Sequence, residues 1–205
     1  MHIINIVIDY ILHLDEYLGS IISAYGAVTY LLLFIVVFCE TGLVVTPFLP
    51  GDSLIFAAAA FAAVGSLNLA ILFFIFAFAA ILGDAVNYLI GKKLGQAFID
   101  KKNHKFLKKE SIDRTIAFFD KHGGKTIAIA RFIPVIRTFA PFVAGAGQMK
   151  YRRFLSFNAI GGTIWVILFL SLGYFFGNLQ VVKDHFSFII IAIIIISLPP
   201  PLNMK

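Results

Sequence analysis

Two arginines, Arg131 and Arg137, are the only charged residues between Ile127 and Gly147, a stretch that reads IAIARFIPVIRTFAPFVAGAG. A guanidinium keeps its charge at any accessible pH and offers a planar fork of N–H donors that fits a phosphate or carboxylate. Placing one near the centre of a bilayer costs on the order of 3 kcal/mol on insertion scales. Two in one apolar run therefore need partners, a watery cavity, or, as the plainer alternative, a route for their heads to an interface. Three acids stand in comparable surroundings: Glu40 and Asp52, on either side of TGLVVTPFLPG, and Asp84 in a long apolar run with Tyr88 one turn beyond it. Asp84 reads equally well as a structural acid bonded across helices and as a functional one. Acids and bases of this kind can neutralise one another in an occluded site, or hold a charged ligand in exchange.

The elements that must position these groups follow from hydropathy and breaks. Residues 1–24 mix apolar positions with Asp9, His13, Asp15 and Glu16, the pattern of an amphipathic interfacial helix. From Tyr25 the chain turns apolar up to Glu40, and Pro47, Pro50 and Gly51 then end any helix. The next piece, SLIFAAAAFAAV, with Ser53 or Asp52 as its cap, is too short to span a bilayer. Residues 31–64 are thus expected to form a broken, re-entrant hairpin. Asn68–Gly91 and Phe154–Gly177 read as clean spans. Small residues at Ala80, Gly83, Gly91 and Gly95 suggest a close helical neighbour. Pro134 and Pro141 break the arginine-bearing stretch twice, making 126–149 a second re-entrant hairpin. Residues 186–202 form a last apolar helix, and whether it crosses fully is left open.

Composition places the chain in a membrane. It has 205 residues, 60% of them hydrophobic and 14% charged, against roughly 25% charged in soluble domains. No Lys or Arg precedes Lys92, and ten of the 17 fall between Lys92 and Lys125. Three more are Lys150, Arg152 and Arg153. Basic loops stay in the cytoplasm, so both flanks of 126–149 are expected on that side, and a segment that returns to its starting side cannot cross. The same bias accounts for the basic run 92–125 better than a nucleic-acid surface does. One cysteine, Cys39, and five scattered histidines present no metal-ligand set, and no cofactor is expected.

The chain states its plan twice. Pro47-Phe48-Leu49-Pro50-Gly51 resembles Pro141-Phe142-Val143-Ala144-Gly145, and each lies in a broken segment followed by a glycine-bearing span. Paired breaks in two halves are the sequence mark of a transporter with its site near the midplane. The expected fold is all-α: a polytopic integral membrane protein with two opposed re-entrant hairpins in an inverted repeat (25–91 and 126–180), forming a single membrane domain.

Three motifs give this pattern a likeness. E-T-G-(x)4-P-x-L-P-G-D at 40–52, G-D-(x)3-Y-(x)2-G at 83–91 and R-F-I-P-(x)2-R-(x)3-P-(x)3-G at 131–145 together resemble the bacterial DedA family of inner-membrane proteins, part of the superfamily with the SNARE-associated (VTT) domain. The likeness runs from about residue 25 to 180. It implies a multi-pass inner-membrane protein with two opposed re-entrant hairpins. It also implies a role in membrane homeostasis linked to the proton motive force, with some members implicated in returning undecaprenyl phosphate to the cytoplasmic leaflet. The family's essential acids fall on Glu40 and Asp52, and its essential arginines on Arg131 and Arg137.

The expected mechanism is that Arg131 and Arg137 clamp a lipid phosphate while Glu40 and Asp52 hold the arginines in its absence and take up protons when displaced. Asp84, Tyr88, Pro47, Pro50, Gly51, Pro134, Pro141 and Gly145 support the site. The expected partners are a polyprenyl phosphate or phospholipid and protons, with self-association left open. Other readings are a proton-coupled antiporter of small cations or drugs, a non-transporting assembly factor for membrane proteins, and a lipid phosphatase. The last is disfavoured because no His or Ser other than Ser53 is placed near the arginines and no metal set is in view.

Overall fold

The computed structural model describes residues 14–42, 51–100, 123–180 and 182, and every regular element among them is helical. In chain order these are α1 (Leu14–Tyr25), α2 (Val28–Gly42), α3 (Gly51–Ala63), α4 (Leu69–Asp100), a single 3₁₀ turn (Gly123–Lys125), α5 (Thr126–Ala130), α6 (Pro134–Ala146) and α7 (Tyr151–Phe176). Pro47, Pro50, residues 1–13, most of the basic loop and the C-terminal apolar segment lie outside the described residues.

Two helices have the length and composition to cross a membrane, Leu69–Leu94 within α4 and Tyr151–Phe176. Both show apolar side chains to the exterior at helical spacing: Ile71, Phe74, Phe78 and Leu82 on α4, and Ile160, Ile164, Ile167 and Phe175 on α7. Water does not tolerate a stripe of that size, whereas lipid does. Asn68 starts α4 by accepting the N–H groups of Ala70 (2.9 Å) and Ile71 (3.1 Å), the work of an N-cap. The helix continues past Lys92 and Lys93 to Asp100, so the expected end of the span at Gly91 is a change of composition within one helix. By contrast, α2 has 15 residues and α3 has 13. At 1.5 Å per residue they reach only about 20 Å each, short of the hydrocarbon core.

The chain divides into two units. The first holds Met1–Val36, Pro50–Phe76 and Val166–Ser197. At its centre is α3, buried along nearly its whole length from Gly51 to Ala62. It packs against α1 and against the end of α7, where a Cβ at Gly173 would fall 2.7 Å from that of Ala59. Asn178 donates to the Ala60 carbonyl at 2.8 Å. Because α3 begins at Gly51, Asp52 lies in its first turn and neither it nor Ser53 precedes the helix as a cap; both are buried.

The second unit holds Val37–Leu49, Ala77–Trp165 and Leu198–Lys205. Tyr88, Ile127, Ala130, Ile136, Ala140, Ala144 and Phe154 form its core. The Tyr88 and Phe154 rings stack at 4.5 Å, and the Tyr88 hydroxyl donates to the Met149 carbonyl. One expectation needs correction here. Pro134 does break the chain: Ile133 is extended (φ −120°, ψ 108°), as the residue before a proline prefers, and Pro134 then opens α6. Pro141 does not. It lies inside α6, which runs on to Ala146, because a missing N–H removes only one helical bond and packing holds the rest.

Candidate functional site

In the second unit the bend at Pro134 sets the two arginines on either side of it. Arg131 terminates α5 and Arg137 lies in the first turn of α6, its N–H donating to the Ile133 carbonyl at 2.9 Å. Both guanidiniums reach the same indole. The carbon Cζ lies 5.9 Å from the Trp165 ring centre for Arg131 and 5.5 Å for Arg137, within the range of cation–π attraction.

Their partners differ. Arg131 forms an ion pair with Asp84 at 2.5 Å, and the same Nη2 donates to Asn158 Oδ1 (2.5 Å) and to the Ala80 carbonyl (3.3 Å). Both side chains of the pair are buried, with 5% and 8% exposure. Arg137 pairs with Glu40, whose side chain is 3% exposed, while that of Arg137 is 18% exposed. One guanidinium is thus enclosed and held by three acceptors, and the other is more open to its surroundings.

Two helix faces supply these contacts. On α4 the residues Ala80, Asp84, Asn87 and Gly91 recur at helical spacing and meet α2, α5 and α6. On α7 Asn158, Gly162 and Trp165 do the same; an added Cβ at Gly162 would lie 3.2 Å from Nη2 of Arg131. Close backbone approach brings the helices together. A Cβ at Gly83 would come within 3.0 Å of the Gly42 nitrogen and the Phe38 carbonyl, and one at Gly145 within 2.8 Å of the Lys92 nitrogen. Asn158 is itself anchored, its Nδ2 donating to the Ile81 carbonyl at 3.0 Å.

Arg131 faces Asp84, an acid assigned a supporting place by sequence, and Glu40 pairs with Arg137; Asp52 lies in the first unit. Gly51 accompanies Asp52 there, Pro134 and Pro141 frame Arg137, and Tyr88 serves the core of the second unit. Sequence reasoning passed over Asn87 and Asn158 as ligands. Asn87 had a signal, since it shares a helix face with Asp84; Asn158 shares one with Trp165, which the sequence alone did not mark.

Charged side chains tied to one another between membrane-length helices, at a break in the backbone, define a polytopic membrane protein with a polar site in its interior. The comparisons make the class specific. The VTT domain family matches residues 49–175. Protein DedA of Escherichia coli K12 is 48% identical over 202 residues, covering 98% of this chain and 92% of that protein. An uncharacterized membrane protein of Mycobacterium leprae is 40% identical, covering 82% of this chain and 75% of its own length. The inner membrane protein YghB of Escherichia coli K12 is 35% identical, covering 78% and 73%. No solved structure matches. The chain belongs to the DedA family of VTT-domain proteins and is a bacterial membrane protein.

Proposed function

We propose that the chain carries the phosphate head of a lipid, undecaprenyl phosphate or a related phospholipid, across the inner membrane in a process linked to the proton gradient. The observation that carries this reading is the inequality of the two arginines. Arg131 is enclosed by Asp84, Asn158 and Ala80, while Arg137 is more exposed, pairs with the buried carboxylate of Glu40 and lies against Trp165. A phosphate entering from the exposed side competes with Glu40 for the Arg137 fork, its hydrocarbon tail remaining in lipid. The fixed positive charge of Arg131 favours its arrival. Once displaced, a buried carboxylate without a cation is favoured in its protonated form, which ties the exchange to proton uptake. Asp52, buried in the first turn of α3, is the second acid in this scheme.

The short helices support an architecture of two opposed re-entrant hairpins, α2–α3 and α5–α6, since none of the four is long enough to cross alone. Under this reading the basic flanks of 126–149 are cytoplasmic.

The test is transport of a fluorescent polyprenyl phosphate by the purified chain in liposomes with an imposed proton gradient. Arg137→Lys, which keeps the charge but loses the planar fork, is expected to lower the rate at least about tenfold, the scale of one charge-assisted hydrogen bond. Undiminished transport by Arg137→Lys contradicts the clamp, and no transport by the unaltered chain contradicts the function.

A further inference from the structure

We infer that Asn87 is a positioning residue that fixes Glu40 and Arg137 against one another. Its side chain is fully buried on α4. Its Nδ2 donates to the Thr138 carbonyl at 3.1 Å and to the Thr41 carbonyl at 3.4 Å. Thr138 is the residue after Arg137, and Thr41 the residue after Glu40. One amide therefore ties together the two backbones that carry the pair, from a third helix. The two facing carbonyls require the NH₂ end of the amide at that place.

Thr41 follows Glu40 near the described end of α2. In α6 the tie falls beside a gap in the helical bonding. The bond from position 141 to the Arg137 carbonyl is missing, because Pro141 has no N–H. The helix thus lacks one bond at Arg137, and Asn87 holds the next carbonyl. The Asn87 oxygen is buried and has no hydrogen-bond partner among the described residues, so the donors alone set its orientation there. An exchange between carboxylate and phosphate requires that Arg137 return to the same place after each cycle, and the Asn87 amide supplies a reference point that does not itself carry charge.

The positional role stands on geometry; its effect on phosphate binding rests on the function proposed above. Trp165, the single tryptophan of the chain, lies against Arg137 and reads both. The full chain in lipid nanodiscs is compared with Glu40→Gln, Asn87→Leu and the double variant by Trp165 emission, first without ligand. If Asn87 acts through the pair, Glu40→Gln shifts the emission in the unaltered chain and shifts it much less in the Asn87→Leu background, since coupled residues are not additive. Asn87→Ser, which keeps one donor, gives an intermediate result and serves for the same cycle if Asn87→Leu does not fold. Equal shifts in both backgrounds, or no shift from Glu40→Gln at all, overturn the role. Dodecyl phosphate is then titrated into the same samples, and its dissociation constant is expected to rise about tenfold in Asn87→Leu, the scale of the two lost hydrogen bonds. An unaltered chain that ignores dodecyl phosphate removes the phosphate reading and leaves the positional role to be decided by the ligand-free cycle.

Discussion

At the scale of single residues, the two arginines have separable roles. Arg131 and Asp84 are enclosed together, and removing one partner of such a pair leaves an uncompensated buried charge. Arg131→Ala is expected to destabilise the protein by about 3–5 kcal/mol, read as a fall in thermal midpoint in detergent. Combining it with Asp84→Asn is expected to recover part of the loss. Arg137→Ala, at the more exposed site, is expected to cost less stability while removing phosphate binding. Equal thermal losses for the two arginines would contradict this division. The arginines themselves are conspicuous in the sequence, because charge inside an apolar run has few explanations. Their partners are not. Nothing local told Arg131 to take Asp84 rather than the acids of the first broken segment; that choice depends on which helix face α4 presents. Asn87 and Asn158 were harder still, since an amide carries no charge, and only its helical register with Asp84 or with Trp165 marks it.

At the scale of the elements, glycine sets how closely the helices pass. Gly145 has the Tyr88 carbonyl and the Lys92 nitrogen where its side chain would be. Gly145→Ala is therefore expected to destabilise by about 1–3 kcal/mol, as overpacking does. Gly19, inside α1, faces only the Phe61 ring at 3.4 Å, and Gly19→Ala is expected to stabilise by about 0.5–1 kcal/mol through helix propensity. Thermal unfolding of the two variants checks both signs. The spans were legible because hydropathy over twenty residues is a strong signal. Pro141 was misread because a proline reports a missing donor and a fixed φ, not whether the surrounding packing holds the helix through the gap.

At the scale of the whole molecule, the claim that 126–149 re-enters the membrane is a claim about sides. Lys125 and Lys150 flank the segment and are both exposed. In a Cys39→Ala background, single cysteines at these two positions are expected to react with an impermeant maleimide from the cytoplasmic side only. Labelling of the two from opposite sides would mean that the segment crosses. The family could be read from three motifs, since they hold charged residues, prolines and glycines at fixed intervals. How the charged side chains are paired is a property of the folded chain, and the motifs alone do not carry it.

The central claim is that a lipid phosphate replaces Glu40 at Arg137. The measurement that tests it most directly is a titration of dodecyl phosphate against Trp165 emission in nanodiscs, with dodecyl maltoside as the uncharged control. The account predicts a saturable change with the phosphate alone, lost in Arg137→Ala. The same change in Arg137→Ala, or with the maltoside, would contradict it.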